Sequence, residues 1–304
     1  MKKILLTALC VFLSLSSIFA QNSEEYKIRV SSPNGAPALA LASLAEKNQQ
    51  DYVYVAAETI AAEFASSKSD FIIAPVNAGA KLFRMGKSKY RLAAVVTWGN
   101  LYFASQKKNF KLNDIKKSEI TLFGENTINV SVALAALEKN KISAKTVNYL
   151  GSAAATQALL LSDAKSIVLT AEPALSAAKM KNPKITAYPV NELFKKSTGF
   201  DGYAQAGLFV KAETAENNPD VVKNFLGLAK ESCEKCSTDL ESVAKAAVKL
   251  EILPNEKIAI SAIPNCSIRY MNAVEAKKVV EATANIDLKQ FGGALPADDF
   301  YYGE

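Results

Sequence analysis

Between Asp70 and Ala104 the chain reads DFIIAPVNAGAKLFRMGKSKYRLAAVVTWGNLYFA, and no other stretch constrains the fold as strongly. The apolar runs 71–75 and 92–97 lack polar alternation, the pattern of strands buried on both faces. Each run then breaks. The first gives way at Val76-Asn77 to a short helical stretch, the second at Trp98-Gly99-Asn100, which holds the only tryptophan of the chain. Buried strands that end in small and polar residues and pass into helices form the crevices in which open α/β sheets hold ligands. Two such breaks in 35 residues predict a small-molecule site at strand carboxyl ends.

The first residues bear on where the chain works. Lys2 and Lys3 form a basic start, residues 4–15 an apolar run, and Ser16-Ser17-Ile18-Phe19-Ala20 a small-residue segment before Gln21. This is the layout of a secretory signal peptide, residues 1–20, cleaved after Ala20. The apolar run falls short of the ~20 residues of a spanning helix. Cys10 as a lipid-attachment site is the weaker alternative, because Leu9 stands where a small residue is wanted. The expected location is periplasmic or otherwise exported.

Removing residues 1–20 leaves 284 of the 304 residues, a size at which two lobes are the default. The formal charge of +6 falls to +4 without Lys2 and Lys3, and its basic part is nearly all lysine, with Arg29, Arg84, Arg91 and Arg269 the only arginines. Lysines scattered singly and in pairs argue against a nucleic-acid partner, which calls for clustered, arginine-rich surface. The absence of histidine removes Ser-His-Asp and Cys-His catalysis and His-ligated zinc together. Cys233 and Cys236 share a C-E-K-C spacing, but within an amphipathic helical pattern and with no second pair, so no metal site is expected. In an oxidising compartment, Cys266 is instead expected to pair with Cys233 or Cys236.

Strand and helix patterns alternate over the rest of the chain. Strands are predicted at 26–30, 52–55, 101–105, 120–123, 146–150, 166–169 and 203–210. Helical stretches lie at 36–46, 58–65, 128–138, 153–161 and 173–179, and after residue 219 the pattern is mostly helical. Alternation of this kind indicates parallel βαβ units. The lysine-rich KKNFKLNDIKKSE reads as a linker into a second lobe. The expected division is a discontinuous lobe I of residues 22–115 plus 200–304 and a lobe II of residues 116–199, with hinges near 105–120 and 191–206.

All candidate site residues lie in strand-to-helix turns. Ser32, Asn34 and Gly35 occupy the first turn, with backbone N–H groups at a helix start. Asn77 opens the helix after 71–75, and Asn126 and Thr127 are good N-caps as well as candidate ligand contacts. Thr97 and Trp98 end a buried strand, with the indole placed as a stacking wall. Glu172 reads equally as a helix-start carboxylate and as a ligand partner. With no arginine among these turns, the groups suit a small planar or zwitterionic solute held by hydrogen bonds and stacking.

In order along the chain, SPNGAPALALA, DFIIAPVNAGAKLF, AAVVTWGNLYFA, GENTINVSVALAAL, VLTAEPALSAA, GLFVKAETAENNPDVVKNFL and FGGALPADDFYY resemble substrate-binding proteins of ABC importers. The branch is the one associated with taurine, alkanesulfonates, nitrate and thiamine-pyrimidine precursors. The resemblance spans essentially the whole mature chain. It implies an α/β, two-lobe periplasmic-binding fold with two hinge crossings and a helical C-terminal region. It also implies a non-enzymatic receptor, monomeric and without cofactor, that closes around one solute and docks on a membrane permease. The cleft implied is lined by Ser32, Asn34, Gly35, Asn77, Thr97, Trp98, Asn126, Thr127 and Glu172. A heteroaromatic or amine-bearing metabolite is the expected ligand, with a small sulfonate second. The competing reading is an exported lyase or dehydratase on the same fold, with Glu172 as base. An adhesin or signalling ectodomain is a third, for which the sequence shows no partner surface.

Overall fold

The structure, a computed structural model, describes residues 26–303; the expected signal peptide and Cys10 lie outside the described residues. Four strands come first in the chain: β1 (Val30–Pro33), β2 (Tyr52–Val55), β3 (Phe71–Pro75) and β4 (Tyr90–Thr97). Five follow in a block, β5 (Leu101–Ser105), β6 (Glu119–Phe123), β7 (Thr146–Leu150), β8 (Ile167–Ala171) and β9 (Thr186–Pro189). The last two are β10 (Ala206–Lys211) and β11 (Ile268–Asn272). They form two mixed sheets, ordered β11-β4-β10-β3-β1-β2 and β7-β6-β8-β5-β9. Helices cover them, and the architecture is a two-lobe α/β fold.

The strands form where burial demands them. Every residue of β8, every residue of β3 but Pro75 and every residue of β4 but Arg91 is buried, as unbroken apolar runs require. Aromatic side chains contribute much of the packing. Phe71 stacks on Phe225 of the helix Pro219–Thr238 with ring centroids 4.1 Å apart, and Phe64 meets Phe209 edge-to-face at 5.2 Å. Each buried phenylalanine contributes about 1.5–3 kcal/mol by removal from water. One apolar cluster runs through both sheets, from Leu92 and Val95 through Trp98 and Leu101 to Phe103 and Leu122.

Three sequence expectations are corrected here. The first strand covers residues 30–33 rather than 26–30, because Val30 to Pro33 pair in register with Tyr52 to Val55. Ser31 and Ser32 therefore lie in a strand rather than in a turn, and the Ser31 hydroxyl is satisfied by Ser69 and Glu63 at 2.7 Å. Second, residues 101–105, expected with the first lobe ahead of a hinge at 105–120, stand as β5 between β8 and β9. β4 already has β10 and β11 on its two sides, so no edge remains for a β4–β5 hairpin. The chain thus leaves the first sheet at Thr97 and enters the second at Leu101, turning through Gly99 at φ 87°.

Third, Cys233, Cys236 and Cys266 are all free and buried, so the expected cross-link is not formed. The thiols serve packing instead. Cys233 Sγ donates to the Ala40 carbonyl at 3.5 Å and Cys236 Sγ to that of Leu39 at 3.7 Å, which fastens the long helix to the segment after β1. Burial raises all three thiols, that of Cys236 to about 12, and so keeps them protonated and unreactive.

Candidate functional site

The registers bring one set of strand ends together. In the first sheet β1, β2 and β3 run parallel, and β10 runs antiparallel between β3 and β4. The carboxyl ends of β1, β3 and β4 therefore share one edge with the amino end of β10. In the second sheet β6, β7 and β8 run parallel and β5 antiparallel to β8, with Leu101 opposite Ala171. Their carboxyl ends thus lie beside the amino end of β5. Only residues 98–100 separate β4 from β5, so the two ligand-forming edges meet at the crossing.

The crossing is a buried polar network. Thr97 is fully buried; its hydroxyl accepts from the Ala206 N–H at 3.1 Å and donates to Gln205 Oε1 at 3.4 Å. Gln205 Nε2 donates to Asn100 Oδ1 at 2.8 Å, and Asn100 Nδ2 donates to the Glu172 carbonyl at 2.9 Å. Asn191 joins from the helix Val190–Thr198 that follows β9, its Nδ2 donating to the carbonyls of Trp98 and Gly99, each at 2.9 Å, while its Oδ1 is buried without a partner. The Glu172 carboxylate faces its own helix: its oxygens accept from the N–H and the hydroxyl of Ser176, each at 3.0 Å. Desolvation raises this carboxyl, while the Ser176 bonds and Lys179 pull it back. A carboxylate so engaged is a cap for the helix Ala174–Lys181, not a free base.

A second, looser group bridges the sheets further along the edge. Gln290, in the short turn Leu288–Phe291, donates through Nε2 to the Asn126 carbonyl at 2.6 Å. Its Oε1 accepts from Asn77 Nδ2 at 3.5 Å. Asn77 Oδ1 is buried with no hydrogen-bond partner, an acceptor facing inward. Ser131 reinforces the bridge by donating to Asp287 at 2.7 Å. Beside it lies a cavity of about 630 Å³ lined by Asn126, Ser131, Tyr149, Asp287 and Gln290 among others. Of the nine sequence-predicted site residues only Asn126 lines it. Thr127 next door is an N-cap, accepting from the Val130 N–H and donating to the Gly124 carbonyl.

Trp98 is placed differently from its reading as an open stacking wall. It is 1% exposed, its Nε1 donates to the Arg269 carbonyl at 2.7 Å, and the Arg269 guanidinium lies 4.6 Å from the ring centroid. One indole face is thus taken by an arginine that β11 brings in from far along the chain. Ser32 is buried with its hydroxyl on the Pro33 carbonyl, Asn34 is exposed, and Gly35 holds φ 99°. No hydrogen bond links these three to either group above.

Sequence reading missed Asn100, Gln205, Asn191 and Gln290. The first two carry a usable signal, polar residues abutting the buried runs on either side of a crossing. Gln290 carries none, since its partners lie 164 and 213 residues away.

No family model matches this chain, and no curated protein matches it. Solved structures do. An ABC transporter from Parabacteroides distasonis is 21% identical, covering 92% of this chain and 100% of its own, with a TM-score of 0.79. The periplasmic aliphatic sulphonate binding protein SsuA of Escherichia coli is 14% identical over 92% of this chain and 93% of its own, with a TM-score of 0.68. The Candida albicans CA3427 product, described as having the generic periplasmic binding protein fold, is 11% identical over 91% and 93%, with a TM-score of 0.54. This chain has the periplasmic-binding-protein fold.

Proposed function

We propose that the chain is an exported substrate-binding protein that captures one small solute between its lobes and delivers it to an ABC-type importer. The observation that carries this reading is the meeting of the two sheets' ligand-forming edges at residues 98–100, in a fold that proteins of ABC transport share over more than nine-tenths of their length. Lobe I comprises residues 26–97 and 206–303, lobe II residues 101–198. The crossings 98–100 and 199–205 act as hinges, and closure brings Asn77 and Asn126 onto the solute. Residues 1–20 direct export and are removed. Among the described residues no helix is long and apolar enough to cross a membrane.

The ligand class follows from the donors and acceptors at the edge. The unpaired oxygen of Asn77 calls for an N–H or O–H donor, which favours an amine-bearing or heteroaromatic solute. A second reading, a small sulfonate, is favoured by the name of the Escherichia coli relative and by the helix starts that Thr127 and Ser152 cap. Native mass spectrometry of the freshly purified mature chain tests the proposal. A co-purified small molecule that returns unchanged after incubation supports a receptor, and its formula separates the two classes. Conversion of that molecule during incubation would overturn the receptor reading in favour of an enzyme.

A further inference from the structure

The lysines that look scattered in the sequence are gathered by the fold. Residues 107–119 follow β5 and run to the first residue of β6; residues 138–145 precede β7. Glu119 and Thr146, the first residues of β6 and β7, are register partners, so both segments lie at the amino ends of these strands, opposite the cleft. The Lys145 N–H donates to the Ser118 carbonyl at 2.9 Å and Lys107 Nζ to the Ser118 hydroxyl at 3.4 Å, which joins the segments into one surface. Together they hold eight lysines against Asp114, Glu119 and Glu138, a net charge of +5 where the whole chain carries +6. Seven of those lysines are exposed. The ion pairs among the described residues all lie elsewhere.

We propose that this distal end of the second lobe is a docking surface for an anionic membrane face. Charge complementarity identifies the partner. A dense lysine field without arginine attracts a diffuse negative surface rather than clamping individual phosphates, and none of the four arginines lies in these segments. None of the exposed large apolar side chains lies there either, so the association is electrostatic and leaves the bilayer core untouched. Because the surface is opposite the cleft, lipid and solute do not compete.

Flotation of the mature chain, residues 21–304, with vesicles of phosphatidylglycerol in phosphatidylcholine tests this, against vesicles of phosphatidylcholine alone. Binding is expected only to the anionic vesicles, with release in about 0.5 M NaCl, where screening is nearly complete. The variant Lys116→Glu/Lys117→Glu/Lys141→Glu/Lys145→Glu should reduce partitioning by about tenfold or more. An equal reversal on the first lobe, Lys223→Glu/Lys230→Glu/Lys245→Glu/Lys257→Glu, should change it by less than about twofold. If the distal variant melts early, the matching Lys→Gln set is read in its place. Equal losses in both variants, salt-insensitive binding, or no binding to anionic vesicles would overturn the proposal, the last in favour of an acidic protein partner.

Discussion

The crossing at residues 98–100 and the bridge through Gln290 span the same two sheets, yet they are built on opposite principles. At the crossing Thr97, Trp98, Gly99 and Asn100 are all buried, and the hydroxyl of Thr97, the indole N–H of Trp98 and the amide of Asn100 all have partners. At the bridge Asn126 is exposed and Gln290 partly exposed, one contact is stretched to 3.5 Å, and the Asn77 oxygen is left over. A dense, buried network, in which only the Asn191 oxygen lacks a partner, resists rearrangement, because breaking its bonds strands buried groups. A sparse, wet one gives way cheaply. On the proposed reading, the crossing is the axis of closure and the bridge the part that opens.

The largest effect should come from Trp98→Ala. If the indole is a core element of the crossing, its truncation costs about 3–5 kcal/mol of stability in a urea melt. Trp98→Phe, which keeps most of the packing and loses the bond to Arg269, should cost about 1–2 kcal/mol. An alanine variant of undiminished stability and impaired solute binding would return the tryptophan to the role of a stacking wall.

Next comes Gly202→Ala. At φ 98° with a new Cβ driven against the Trp98 carbonyl, the second crossing cannot hold its course beside the first. A loss of about 2–4 kcal/mol is expected from strain and displacement. Gly35→Ala offers the contrast, since φ is equally positive there but the space is open. It should cost about 1 kcal/mol. Similar melting points for the two would mean that the crossings are not tightly packed.

Much of the fold was legible in the sequence. The buried runs of β3 and β4 and the capped helix Ile128–Lys139 stand where apolar patterning and Thr127 placed them, because local burial and capping determine them. β9 and β11 escaped notice: TAYP and IRYMN are short, half-buried edge strands with no apolar run. The sheet to which residues 101–105 belong was not legible, since it depends on β10 and β11 having filled both sides of β4. At the site, the turns at Asn77, Thr97 and Asn126 were readable as strand ends. The arginine over Trp98 and the glutamine between Asn77 and Asn126 arrive by long-range packing, which leaves no local trace.

Glu172 sharpens the comparison by pH. Its carboxyl is raised by burial above the ordinary 4.5, so the folded state holds this proton more tightly than the unfolded chain. Stability contributed by the group is then full below pH 4.5 and falls as pH rises through the folded value, flattening above it. In Glu172→Gln this downward component should vanish from the difference between the two pH–stability curves. Glu172→Ala, which strands the N–H and hydroxyl of Ser176, should cost about 1–3 kcal/mol at neutral pH. Parallel curves for wild type and glutamine variant would place the carboxylate in water.

The smallest stability effect belongs to Gln290→Ala, below about 1 kcal/mol for a part-exposed bond. Its signature is shape. Small-angle scattering of the ligand-free variant should give a larger radius of gyration than the wild type, and an unchanged radius would deny the bridge any part in closure.

The insertion of β10 between β3 and β4 has a consequence for the order in which the molecule can be assembled. β3 and β4 are near neighbours in sequence, yet they never pair, and the slot between them stays empty until residues 206–211 arrive. The second sheet needs nothing beyond residue 189, while the first waits for a strand more than a hundred residues downstream and for β11 later still. A chain threaded through a membrane from its amino end would therefore emerge with its first-made strands unfinished and its middle already closed. On this topology the strands that leave the ribosome earliest are the ones whose sheet is completed last.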